Sequence, residues 1–392
     1  MRSGFRIGTV FGIDVRVDWS WLLIFLLVTW NLSTLFGNAH PGWSVGLQWG
    51  LAVVAALLFF GSVLAHELAH SLFARSRGVP VSGITLFLFG GVSNIQRDPD
   101  SPAGEFWMAI LGPITSLVIG GVLLLVGSLI AGTQTLSGSP EEMLSELQPV
   151  TTLVLWLGSV NVSVGLFNLI PGFPLDGGRV LRSILWGITD DLRRATRWAT
   201  WVGQAIAWAM IVAGISMAFG VQLPVLGEGV VSGIWLAFIG WFLNNASTQS
   251  YRKVVVEDVL KGVPVSRMMR SNPPCVTSDI TIDELVHEHI MGTDDQSFPV
   301  VDDGELVGLV TLEDVRGVPR DRWKARTVRE AMTPREDLVT VSADGDAAQA
   351  MNDLAQTDVR QLPVLRGEQL VGLLRRRDII RWLQLESELS IV

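Results

Sequence analysis

The sequence predicts two unlike parts: a polytopic α-helical membrane domain, with six transmembrane helices and a small membrane-associated β-sheet, and then a water-soluble α/β domain made of a tandem repeat. Three observations carry this prediction. Charge is unevenly distributed, with 11 Lys and Arg and 13 Asp and Glu in residues 1–249, against 18 and 25 in residues 250–392. Six apolar stretches in the first part are long enough to cross a bilayer. A block of the second part recurs at an offset of 64 residues, Gly308 to Gly372 and Asp314 to Asp378.

The composition supports the division. The 392 residues are 49% hydrophobic and 17% charged, with a mean hydropathy of +0.41, which excludes one uniform soluble domain. Thirteen of the 15 Trp lie in the first part. The net charge of −9 argues against nucleic-acid binding through a basic face. A single cysteine, Cys275, excludes an intramolecular disulfide and any Cys-rich metal site.

The spans are expected at 19–36, 46–74, 104–131, 150–171, 196–219 and 230–246. The first is too long for the apolar part of a signal peptide and lacks a small-residue cleavage site, so it is expected to be retained. Arg2, Arg6 and Arg16 precede span one; Arg75, Arg77 and Arg97 follow span two; Arg179, Arg182, Arg193, Arg194 and Arg197 separate spans four and five. The loops after spans one, three and five hold no basic residue, and Glu141, Glu142, Glu146 and Glu228 lie in the latter two. This alternation predicts a multi-pass protein of the cell membrane with both termini in the cytosol.

Ionisable groups inside such spans are costly and therefore functional candidates. Span two contains His66-Glu67-Leu68-Ala69-His70. On a helix the two histidines stand four apart on one face, able to share a metal ion, with Glu67 beside them to act on a water. A polar patch at a helix contact is the structural alternative. A catalytic zinc would need one more protein ligand. His40 lies in the first outer loop, on the wrong side, which turns attention to acids at the cytosolic end of another span. Asp176 stands out, in Asn168-Leu169-Ile170-Pro171-Gly172-Phe173-Pro174-Leu175-Asp176-Gly177-Gly178-Arg179. Its prolines and glycines break the helix, and broken backbone at membrane depth belongs where it lines a cavity or is buried in protein.

HELAH on one span and FNLIPGFPLDGGR on a later one resemble the site-2 protease family of intramembrane zinc metalloproteases. The stretch from Ile7-Gly8 to Trp21 is similar to that family's opening strands. The run Leu86-Phe87-Leu88-Phe89-Gly90-Gly91-Val92 resembles its strand after the catalytic helix, and Leu111-Gly112-Pro113 its opening of the third span. The resemblance covers residues 1–246. It implies that His66, His70 and Asp176 hold one catalytic zinc, that Glu67 is the general base, and that Asn168 orients the substrate or stabilises the oxyanion. Asn168 and Asn161 both have helix–helix hydrogen bonding as their alternative role. The implied partner is a single-span transmembrane protein within the lipid bilayer, cut by regulated proteolysis. Residues 82–95 are β-rich, and as an exposed edge they would accept an unwound substrate as an added strand.

In the second part, Phe298-Pro299-Val300-Val301 and Gly304-Glu305-Leu306-Val307-Gly308-Leu309 recur as Leu362-Pro363-Val364-Leu365 and Gly367-Glu368-Gln369-Leu370-Val371-Gly372-Leu373. Upstream, Met269 pairs with Met332. The repeats resemble a tandem pair of CBS domains, expected at 263–325 and 326–392 after a linker at 247–262. The resemblance implies an adenine nucleotide contacting Thr311 and Asp314 in the first repeat and Asp378 in the second, where Arg375 replaces the hydroxyl. It also implies a homodimer. Because CBS pairs accompany transport proteins too, a CBS-gated channel or metal transporter is the rival function, one that leaves Glu67 within HExxH unexplained.

Overall fold

A computed structural model describes residues 4–88, 90–95, 99–132, 146–223, 229–293, 295–356 and 359–389. Arg2, Arg97, Glu141, Glu142 and Glu228, used above for orientation, and Phe89 of the strand motif lie outside the described residues. Contacts divide the chain into two units, residues 1–252 and 253–392.

The first unit begins with an antiparallel pair, β1 (Gly4–Val10) and β2 (Ile13–Asp18). Asp18 then caps α1 (Trp19–Ala39), accepting a 2.9 Å hydrogen bond from Ser20 N. Ser44 caps α2 (Val45–Ser76), which at about 1.5 Å per residue is longer than a bilayer core. The chain returns as β3 (Val81–Phe87), parallel to β2, and β4 (Gly90–Ile95), antiparallel to β3. The sheet order is β1-β2-β3-β4, so the α1–α2 hairpin is its crossover. Ile13, Val15, Val17, Ile84 and Leu86 form its buried face. Phe11 and Gly12 turn between β1 and β2 at positive φ, and Arg75 near the end of α2 donates to Phe11 O at 2.6 Å.

Four further long helices follow: α3 (Pro102–Gly132), α4 (Pro149–Asn168), then, after the short α5 (Asp176–Thr189), α6 (Leu192–Ala218) and α7 (Val230–Leu260). With α1 and α2 they make six helices of membrane-spanning length and composition. Large apolar side chains such as Leu26, Trp30, Leu125 and Trp208 point outward, while the interior is lined by Ala52, Ala55, Ala56, Ala109 and Ala207. Small residues permit this close approach in lipid. A Cβ at Gly120 would lie 2.7 Å from Val162 N, so α3 and α4 pack backbone to backbone there.

One feature departs from expectation and another was not foreseen. Helix α3 starts at Pro102, so Gly112-Pro113 lies well inside it instead of opening it. The Arg-bearing segment between spans four and five contains α5, an amphipathic helix with Arg182 and Ser183 buried and Ile184 and Ile188 exposed.

In the second unit each repeat supplies a helix, a β-hairpin and a following helix. The first hairpin is β6 (Ser297–Asp302) with β7 (Glu305–Thr311) and the second β10 (Gln361–Arg366) with β11 (Gln369–Arg375). The sheets exchange their short outer strands. β5 (Arg270–Ser271), from the first repeat, pairs with β11, while β8 (Thr333–Pro334), from the second, pairs with β7. The repeated glycines are explained by this exchange, since a Cβ at Gly372 would meet Met269 Sδ at 2.5 Å and one at Gly308 would meet Met332 Sδ at 2.5 Å. Residues 247–260 continue α7, whose terminal Leu260 is fully buried in the core of the second repeat.

Candidate metal centre

Helix α2 carries His66 and His70 one turn apart, and both are buried, at 5% and 7% exposure. The loop that follows α4 brings Asp176, the first residue of α5, against them. Asp176 Oδ2 lies 3.0 Å from His66 Nε2 and 3.3 Å from His70 Nε2. One donor atom from each of the three residues lies within 4.8 Å of the others. The predicted ligand set is thus brought together from two separate elements.

The surroundings fix how these rings present themselves. His70 Nδ1 is 2.6 Å from Met108 O, a group that only accepts, so Nδ1 carries a hydrogen and in the neutral ring Nε2 offers a lone pair. That Nε2 is buried and makes no hydrogen bond, although a carboxylate oxygen faces it. Two lone-pair donors in contact repel unless a cation lies between them, so the donor chemistry fits a metal ion. His66 Nδ1 is held at 3.0 Å by Ser116 Oγ. A side chain at Gly112 would collide with this centre: its Cβ would stand 2.6 Å from His66 Nε2 and nearer still to His70 Nε2. Gly112 therefore keeps open the space a bound ion would use. Oriented imidazoles with hydrogen-bonded outer nitrogens are the usual support of a metal site.

Glu67 projects beside the histidines toward β4. Its Oε2 accepts a 2.7 Å hydrogen bond from Ser93 Oγ, and Ser71 Oγ donates to Ser93 Oγ at 3.1 Å. Gly91 on β4 lies close against it, since a Cβ there would be 2.5 Å from Glu67 Cγ. Asn168 ends α4 and donates to Val164 O at 3.0 Å; Asn161, buried, donates to Leu157 O at 2.8 Å. Both bonds stay within their own helix. Ser93, Ser116, Met108 and Gly112 were not singled out as site residues from the sequence. Their signal is weak, because small polar residues and carbonyls in apolar spans are common.

In the second unit, Thr311 and Asp314 form a reciprocal cap at the start of the helix Leu312–Arg316: Asp314 Oδ2 accepts from Thr311 N at 2.8 Å and Oγ1 at 2.7 Å. In the second repeat Arg375 replaces that hydroxyl with a forked grip on Asp378, at 2.7 Å from Nε and 2.8 Å from Nη2. Asp378 lines a cavity of about 280 Å³ with Arg267, Arg270, Arg375, Arg381 and Trp382. Thr311 and Asp314 are not among its lining residues.

Two histidines and a carboxylate gathered among membrane-length helices, with a glutamate next to one of the histidines, define a membrane-embedded metallopeptidase. Comparison with known proteins agrees. The model of peptidase family M50 matches residues 54–210, and that of the CBS domain matches 265–321 and 328–385. A Synechocystis relative, sll0528, is 35% identical over 98% of this chain and 96% of its own length; MJ0392 of Methanocaldococcus jannaschii is 31% identical over the whole of both. Both names include "zinc metalloprotease". A crystal structure of CBSX2 in complex with AMP is 26% identical over 32% of this chain and 99% of that one, with a TM-score of 0.29. The chain belongs to peptidase family M50, the site-2 proteases, and is a multi-pass zinc metalloprotease with a tandem CBS pair.

Proposed function

We propose that this enzyme is an intramembrane endopeptidase that hydrolyses a peptide bond in or near the transmembrane segment of a single-span protein. His66, His70 and Asp176 hold one zinc ion, and the observation that carries this is the buried, unbonded His70 Nε2 facing Asp176 Oδ2. Zinc, when bound, supplies a Lewis acid that polarises the scissile carbonyl and acidifies water. Glu67 takes the proton of the attacking water and later returns it to the departing amine. The Asn168 amide, at the end of α4, is the donor assigned to the developing oxyanion or to substrate orientation.

A transmembrane helix hides its peptide groups, so it must be unwound before it can be cut. Strand β4 pairs with β3 on one side only among the described residues, and it touches Glu67 through Gly91 and Ser93. A substrate segment added along its free edge would lie beside the general base. The basic residues Arg75, Arg77, Arg193, Arg194 and Arg197 support a cytosolic position for that end of the bundle and for both termini. The CBS pair then regulates the protease from the cytosol or joins it in a homodimer. Adenine nucleotide is the ligand assigned to Thr311 and Asp314 and to the Asp378 cavity.

The test is Glu67→Gln in liposomes with a model single-span substrate. Cleavage is expected to vanish while zinc content stays at that of the wild type. Cleavage by the variant would refute the assigned base, and metal flux without peptide product would favour a transporter.

A further inference from the structure

We propose that Glu105 and Arg182 form a positioning pair that sets where Asp176 meets the two histidines. The inference rests on the metal reading above. Asp176 stands at the start of a 14-residue helix, α5, joined to α4 through the irregular segment 169–175. Something must fix the height and rotation of α5 for its first side chain to reach His66 and His70. Arg182, 6% exposed, does this by reaching across to Glu105, 1% exposed, on the first turn of α3. Its Nε is 2.6 Å from Glu105 Oε1, and its Nη2 binds the same oxygen. The guanidinium also lies 5.3 Å from the ring centroid of Phe173, in the segment leading to Asp176. Arg179, one turn after Asp176, comes within 3.8 Å of Glu105 Oε1 as well.

Glu105 lies on the helix that supports the other two ligands. Met108 O, three residues on, receives the His70 Nδ1 hydrogen; Gly112 leaves room at both Nε2 atoms; Ser116 holds His66 Nδ1. One side of α3 therefore sets all three ligands, two through hydrogen bonds and the third through the ion pair. Stability alone is a poor reason for such a pair, because two apolar side chains of similar volume usually stabilise a buried site as well or better. Two guanidinium N–H groups converging on one carboxylate oxygen give a defined geometry between two helices instead.

The test compares the full-length wild type with the double variant Glu105→Leu/Arg182→Met and with Arg182→Lys, all in detergent. Zinc affinity is read by competition with a chromophoric chelator, and the ligand field by visible absorption after cobalt substitution. Helicity and thermal unfolding report the fold. The double variant removes both charges and is expected to fold as the wild type does while binding zinc about 10- to 100-fold more weakly, as losses around metal ligands typically do. Arg182→Lys, which keeps the charge and loses the fork, is expected to weaken zinc about tenfold with an altered cobalt spectrum. Wild-type zinc affinity and cobalt spectrum in either folded variant would overturn the proposal. So would loss of fold in Arg182→Lys, which would make the pair a stability element only. If the wild type itself binds no zinc, the metal reading fails first, and the two failures are distinguishable.

Discussion

Ser93 Oγ, on the edge strand β4, donates a 2.7 Å hydrogen bond to Glu67 Oε2 on α2. The strand assigned to substrate thus also steadies the carboxylate assigned to proton transfer. The bond leaves Oε1 available for a water and restricts rotation of the side chain. Ser93→Ala is expected to lower kcat about 10- to 100-fold, the cost of slight misplacement of a reacting group, with KM little changed. Ser93→Thr keeps the hydroxyl and should retain much of the rate. Steady-state kinetics on a quenched peptide substrate would check both; a KM effect alone would assign Ser93 to substrate binding.

Gly112→Ala separates fold from metal. In a helix interior this change is favourable by about 1 kcal/mol on intrinsic propensity. Here the new Cβ would strike both imidazole Nε2 atoms. The expected result is a folded protein with zinc well below one equivalent per chain and no cleavage, checked by elemental analysis of purified protein. A full equivalent of zinc in the variant would contradict the position assigned to the ion.

Much of this centre was legible in the sequence because it is local. Spacing alone puts His66 and His70 on one helix face, and the Pro and Gly around Asp176 announce broken backbone at the end of a span. The partners of these groups were not legible, because each is a long-range contact without a pattern. Glu105 reads as an acid at a span boundary and Arg182 as a topology-setting charge, yet the two are buried against each other. Helix α5 was not read at all, since a helix of 14 residues is too short to register among spans. In the soluble unit the 64-residue offset revealed the repeat, but the exchange of β5 and β8 was hidden because each is only two residues long.

Arg375 sets a further expectation for the second repeat. Its fork occupies Asp378, which would otherwise be free to accept from a ligand hydroxyl. Arg375→Thr introduces the residue found at Thr311 in the first repeat. Affinity for AMP at the cavity beside Asp378 is expected to rise by about tenfold, the worth of one good hydrogen bond to a charged group. Calorimetric titration of the full-length protein would measure it, and unchanged affinity would show that Arg375 is not what limits binding there.

Acid should loosen the first repeat through Asp302. The Ser278 backbone N–H and hydroxyl, with Arg329 adding to them, hold its carboxyl below the usual aspartate range. A carboxyl whose folded pKa is depressed stabilises the fold above its unfolded value of about 3.9, and that contribution disappears as pH falls through the lower folded value. Amide protection around Ser278, the slowing of exchange relative to an unstructured chain at the same pH, is therefore expected to fall below about pH 4 in the wild type. Asp302→Asn should exchange faster at neutral pH and depend less on acid. Equal pH slopes in the two proteins would remove Asp302 from the account.

The crossed strands of the soluble unit have a consequence for biosynthesis. Arg270 and Ser271 leave the ribosome about a hundred residues before Gly372 and Leu373, the residues they pair with. Until then the earlier repeat has a loose end, and a chain cut between the repeats would lack Thr333 and Pro334 along β7 as well. The first hairpin can complete its sheet once Pro334 is made, but a nascent chain that has finished its membrane helices still waits for its last hairpin before the sheet that takes Arg270 and Ser271 can close.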